Sequence, residues 1–206
     1  MGVYIGEHYL LADADSVKPY RNRLSELTVF GNLLSLIHTG ITILGHEAAS
    51  VESMEINPSG QIALLKLDKY LTRVAPICLA GPVAKIRLDQ VIAVSYSADR
   101  FKKLAFGKAG MSRRSKRKAA CPAEHRLNLH RYYCSTKRSA SVIHLSRAGA
   151  GLQVRDERDT HGIARWRLLG LMKNGAAGVF HRVNGRMLYY WICSHVPVLR
   201  TRGFGC

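Results

Sequence analysis

Apolar positions in this chain come in short runs broken by turn-forming residues. Val3-Tyr4-Ile5 ends at Gly6, the next apolar stretch runs into Asp13-Ala14-Asp15, and Lys18-Pro19 marks another break. Leu33–Leu44 is apolar and rich in β-branched residues, and its internal Gly40 suits strands better than a helix. Asn57-Pro58-Ser59-Gly60 strings together four turn formers, so the chain is predicted to reverse there. The run that follows, Gln61 to Leu67, is short and mostly apolar, the pattern of a buried strand. Val91–Val94, Gly151–Val154, Arg165–Leu171 and Gly178–Val183 read as further strands, while Arg186–Ser194 lacks Gly and Pro and reads as a short helix. Pro197–Cys206 reads as a loose tail. Many short strands with turns between them predict an all-β sandwich or barrel, and no solenoid-type repeat is present.

Composition changes this picture in one respect, which is charge. Apolar residues make up 47% of the 206, enough for a normal core and too many for whole-chain disorder. Lys and Arg number 31 against 14 Asp and Glu, a net charge of +17. Such a surface attracts polyanions: nucleic acid, sulfated glycan, acidic lipid or acidic protein. The excess is concentrated between Asp99 and Arg147, which holds 14 basic residues and two acids. Within it, Arg113, Arg114, Lys116, Arg117 and Lys118 form a basic run expected on an exposed loop. Aromatic residues are sparse around it, which argues against single-strand stacking. The five cysteines are odd in number and widely spaced, so they do not form a dense disulfide framework. No apolar stretch is long enough to span a bilayer, and the first residues carry no signal-peptide pattern.

Several segments, in order along the chain, resemble the trypsin/chymotrypsin-type serine proteases. Val3-Tyr4-Ile5-Gly6-Glu7-His8-Tyr9 resembles that family's "VxLGEH" strand. Gln61–Leu67 followed by Ala75-Pro76-Ile77-Cys78-Leu79 resembles "DIALLKL…PICL", and Ser146–Leu152 sits where the family has "GDSGGPL". Trp166–Leu171 resembles "WxLLGI", Gly178–Val183 resembles "GVYTRV", and Tyr189-Tyr190-Trp191-Ile192 resembles "YxxWI" with one residue fewer. The "GEH" and "PICL" wording is nearest to insect clip-type proteases. The resemblance implies a chymotrypsin-like fold of two six-stranded β-barrels, residues 1–88 and 89–206, with the first N-terminally incomplete and a short helix at the C-terminus. It also implies an extracellular protein.

The same resemblance implies that the chain is not an enzyme. Hydrolysis in this family needs a serine hydroxyl, a histidine that takes its proton, and a carboxylate that orients the histidine. The nucleophile position falls on Ala148, which has no hydroxyl and forms no acyl-enzyme. The carboxylate position falls on Gln61, and the "TAAHC" segment that carries the histidine is expected upstream of residue 1. Arg147 replaces the aspartate that pairs with the new N-terminus on activation. The substrate-cleft positions fall on Lys173, Asn174 and Gly175, and the base of the specificity pocket falls near Val142. His144 stands where a bridging cysteine would be, while Cys121 and Cys134 fall near the two ends of a bridge of the second barrel.

Cys121, His125, His130 and Cys134 also form a set of four candidate zinc ligands, but their spacing matches no zinc-finger pattern. A Cys121–Cys134 disulfide is the competing expectation, and neither metal nor cofactor is expected. Three functional readings follow. The chain is a catalytically inactive protease homologue that binds proteases, substrates or inhibitors, or it is a basic module that binds heparin-like glycan or nucleic acid through residues 113–118, or it is a decayed remnant.

Overall fold

The computed structural model describes residues 2–31, 47–72, 76–82, 91–96, 104–108, 121–135, 150–156, 165–176 and 178–197. Their twelve strands form two sheets. The first holds β1 (Gly2–Gly6), β2 (Tyr9–Asp13), β3 (Thr28–Gly31), β4 (Glu47–Ile56) and β5 (Ile62–Leu67) in the order β1-β2-β5-β4-β3. The second contains β7 (Val91–Tyr96), β8 (Leu104–Lys108), β9 (Tyr132–Cys134), β10 (Ala150–Asp156), β11 (Arg165–Met172) and β12 (Val179–Arg182) in the order β8-β7-β10-β11-β12-β9. The two-residue strand β6 (Cys78–Leu79) pairs parallel to β11 and so belongs to the second sheet. Two short α-helices accompany them, α1 (Ala14–Val17) and α2 (Arg186–His195). Leu33–Leu44, the basic run 113–118 and most of the predicted tail lie outside the described residues.

β1 and β2 make a tight antiparallel hairpin, which Gly6 (φ +119°) and Glu7 (φ +48°) reverse in the left-handed region. β2 then pairs with β5 along its whole length, from Tyr9 opposite Lys66 to Asp13 opposite Ile62. The turn predicted at Asn57–Gly60 is present, with Gly60 at φ +68°. Asn57 Oδ1 accepts from the backbone N–H groups of Gln61 and Ile62, both at 2.8 Å, which fixes where β5 begins.

Alternation along β2 and β5 explains why β5 reads as almost wholly apolar. Leu10, Ala63, Leu65 and Leu67 point into the core of the first sheet, with Tyr4, Val51 and Leu71. Leu11, Ile62 and Leu64 point the other way, into a second core shared with Leu168 and Leu171 of β11 and with Leu188, Tyr189 and Ile192 of α2. A strand buried on both faces has no polar face to show in its sequence. The second core ties the two sheets and α2 together. Fully burying one of its leucines stabilises the fold by about 1.5–3 kcal/mol.

Candidate functional site

The C-terminal end of β2 meets the second sheet through a line of buried polar groups. Asp13, Gln61 and His181 are all buried, at 5%, 8% and 2% exposure. Asp13 terminates β2 and caps α1, with Oδ2 accepting from the Ser16 backbone N–H and hydroxyl, each at 3.0 Å. The resulting side-chain orientation leaves Oδ1 facing β12, where His181 Nε2 stands 3.0 Å away. A carboxylate only accepts, so Nε2 carries the hydrogen. The other ring nitrogen, Nδ1, lies 3.3 Å from Gln61 Nε2, and Gln61 Oε1 accepts from Ser59 Oγ at 2.7 Å. Asn57 Nδ2 completes the line by donating to Ser59 Oγ at 2.6 Å. Each of the side chains in this line, Asp13, His181, Gln61, Ser59 and Asn57, therefore has a partner within it, as burial requires.

Burial pushes the Asp13 carboxyl up. Hydrogen bonds from His181 and Ser16, the charge of His181 and the Asn174 backbone N–H outweigh it, so its pKa lies below the ordinary value. In front of this buried line stands a more exposed ion pair. Lys173 Nζ lies 3.0 Å from Asp15 Oδ2, with the lysine side chain 22% exposed and the aspartate 53%. Burial lowers the Lys173 pKa, but the Asp15 hydrogen bond and charge raise it further, so the net shift is upward.

The sequence-derived positions divide here into those the structure brings together and those it does not describe. Gln61 sits at the centre of the cluster. Lys173 stands beside it, and the Asn174 N–H reaches Asp13. Lys173, Asn174 and Gly175 leave β11 in a turn, with the Lys173 N–H donating to the Val179 carbonyl at 2.9 Å and Gly175 at φ +72°. Val142, Arg147, Ala148, Arg113, Arg114, Lys116, Arg117 and Lys118 lie outside the described residues. Cys121 and Cys134 are joined as a disulfide. That takes both thiolates from the candidate zinc set, and among the described residues no group of three or more metal-ligand side chains is present.

Sequence reasoning missed Asp13, Asp15 and His181. The two aspartates read as turn formers, and His181 read as one position of a strand. The available signal was a histidine among apolar neighbours in Gly178–Val183, a residue that needs a partner when buried.

Both His181 nitrogens are engaged inside the protein, and the ring has no face open to a substrate. The exposed groups in front of it are a carboxylate and an ammonium already paired with each other.

Neither the family models nor the curated proteins gave a match to this chain. Among solved structures, the VesB protease of Vibrio cholerae is similar over 94% of this chain and 57% of its own length, at 17% identity and a TM-score of 0.66. The chain thus spans a little over half the length of that protein. The likeness shows the chymotrypsin-like β-barrel fold, mostly sheet with a short C-terminal helix. Among the described residues no helix is long and apolar enough to cross a membrane.

Proposed function

We propose that this chain is a serine-protease homologue without peptidase activity, which acts by binding proteins: proteases, their substrates or their inhibitors. The observation that carries the reading is the enclosure of His181. Among the described residues, His181 lies between the two sheets, and Asp13 and Gln61 occupy both of its nitrogens. A general base must have a free nitrogen within reach of the proton it takes.

The local geometry adds a second support. β2 followed by α1 places Ala12-Asp13-Ala14-Asp15-Ser16 against Gln61 and Lys173. This segment can be laid residue for residue on the family's "TAAHC", which sets Asp15 where the base would stand. On this alignment the segment expected upstream lies within the chain, and its histidine is replaced by an acid. A carboxylate at that place cannot relay a serine proton as imidazole does at neutral pH. Together with Ala148 and Gln61 at the other two positions, none of the three catalytic roles is filled. The vestigial pocket at Val142 and the turn Lys173–Gly175 would then serve contact and not cleavage. The same family likeness supports an extracellular protein, and the "PICL" wording favours insect clip-type homologues among the relatives.

The reading is tested with a fluorophosphonate probe on the purified chain. No covalent adduct is expected by intact-mass spectrometry, whereas stoichiometric labelling of one serine would overturn it. The net charge of +17 favours a second activity, polyanion binding through Arg113, Arg114, Lys116, Arg117 and Lys118.

A further inference from the structure

A cavity of about 440 Å³ opens beside the junction, between the turn at Asn57–Ser59, Arg131 and the first turn of α2. That volume lies within the range of about 300–1,000 Å³ usual for ligand pockets. Besides Asn57, Ser59, Gln61, His130 and Asn184, its walls include an apolar and a basic part. Pro58, Pro82, Leu188 and Trp191 give an apolar floor, and Met187 stands at the rim, 83% exposed. Arg131, Arg182 and Arg186 give a basic side, and among the described residues no Asp or Glu lines the cavity.

Three further features ask for an anion there. Among the described residues, no carboxylate pairs with any of the three arginines. Arg182 donates from Nη1 to the His130 carbonyl at 3.3 Å and lies over the Tyr133 ring at 4.8 Å, but its buried Nε has no acceptor. α2 starts at Gly185, which has no side chain to cap it, and its first turn holds no acid. The leading N–H groups of that helix therefore lack intrahelical acceptors and sit at the positive end of its dipole. The first turn of α2, the three arginines and the apolar side chains all line one volume.

We infer that this cavity docks an acidic peptide segment of a protein partner. An Asp or Glu carboxylate of the segment meets Arg131, Arg186 and the start of α2, and a neighbouring bulky apolar side chain covers Leu188 and Trp191. A sulfated glycan would match the charge but leave the apolar floor in water. A wholly apolar peptide would leave three guanidinium groups without counter-charge. The inference rests on the protein-binding reading above and names the chemistry of the partner.

The test is fluorescence anisotropy of the full chain with a labelled acetyl-Glu-Leu-Phe-Glu-amide peptide at 0.15 M salt. Saturable binding is expected. It should weaken at least tenfold when the peptide's two Glu become Gln, when its Leu and Phe become Ser, or when the protein carries R131Q together with R186Q. Met187→Asp, at the exposed rim, should weaken it comparably and serves if the double variant melts abnormally. The inference is overturned if the Gln peptide binds equally, if none of the protein variants weakens binding, or if phenylacetate competes as well as the peptide does. A heparin hexasaccharide that binds through these arginines while the peptide does not would also overturn it. Failure of peptide binding with no peptide turnover removes the pocket and leaves the inactive-homologue reading intact. Turnover removes that reading and leaves the pocket to the binding result.

Discussion

His181 donates its Nε2 hydrogen to Asp13 at 3.0 Å, joining the last strand of the second sheet to the end of the second strand of the first. Both partners are almost fully buried. Removing one half of a buried pair leaves the other half unpaired, which costs about 3–5 kcal/mol. His181→Ala is therefore expected to lower unfolding stability by about that amount in urea denaturation. Replacing both partners together, as Asp13→Leu with His181→Leu, should recover most of the loss. A single variant that costs under about 1 kcal/mol would show that the pair does not hold the sheets together.

Acid should weaken this fold in two steps. His125 has a lowered pKa, chiefly through burial and against the pull of Glu124. Its unfolded form binds protons first, so its contribution is complete above about pH 6.5 and is lost as pH falls through the lower folded value. Asp13 is also lowered, so its contribution is complete above about pH 3.9 and is lost as pH falls further, through its own folded value. Thermal melts from pH 8 to pH 3 should show a first decline below about pH 6.5, absent in His125→Phe, and a second below about pH 4, absent in Asp13→Asn. Melting temperatures that are flat down to pH 3 would contradict both.

The disulfide Cys121–Cys134 closes a loop with a sequence separation of 13. Cross-links of that span stabilise by about 3 kcal/mol through the unfolded state. Reduction should lower stability by about that amount, and added zinc should not change the melt of the oxidised chain. A zinc-dependent rise in melting temperature of the oxidised protein would contradict the assignment of both sulfurs to the bridge.

The proposed polyanion activity has its own signature. Retention on a heparin column should fall steeply with salt, since each displaced phosphate- or sulfate-bound counterion adds to the slope. Replacing Arg113, Arg114, Lys116, Arg117 and Lys118 with Gln should shift elution to markedly lower salt. Unchanged elution would assign retention to other residues.

Legibility of the sequence followed the distance between interacting residues. β5 was readable because its burial on both faces writes an unbroken apolar run, and the turn at Asn57–Gly60 because four turn formers stand together. α2 was readable from its freedom from Gly and Pro. The Asp13–His181 pair was not, because its partners lie 168 positions apart and neither carries a local pattern. Gln61 was singled out as a missing carboxylate. Its actual place between the imidazole and Ser59 depends on β5 and β12 meeting across the junction. Asp13 and Asp15, which read only as turn formers, cap a helix and front the junction.

The most direct test of the central claim is turnover. The purified full chain, with its fold confirmed by a cooperative melt, is incubated with a pooled library of fluorogenic peptides spanning basic, aromatic and small residues before the scissile bond. No hydrolysis above a buffer control is expected, in the wild type and in Gln61→Asp alike, because restoring one carboxylate does not supply a nucleophile or free His181. Hydrolysis by the wild-type chain that is lost on substitution of a single serine or histidine would contradict it.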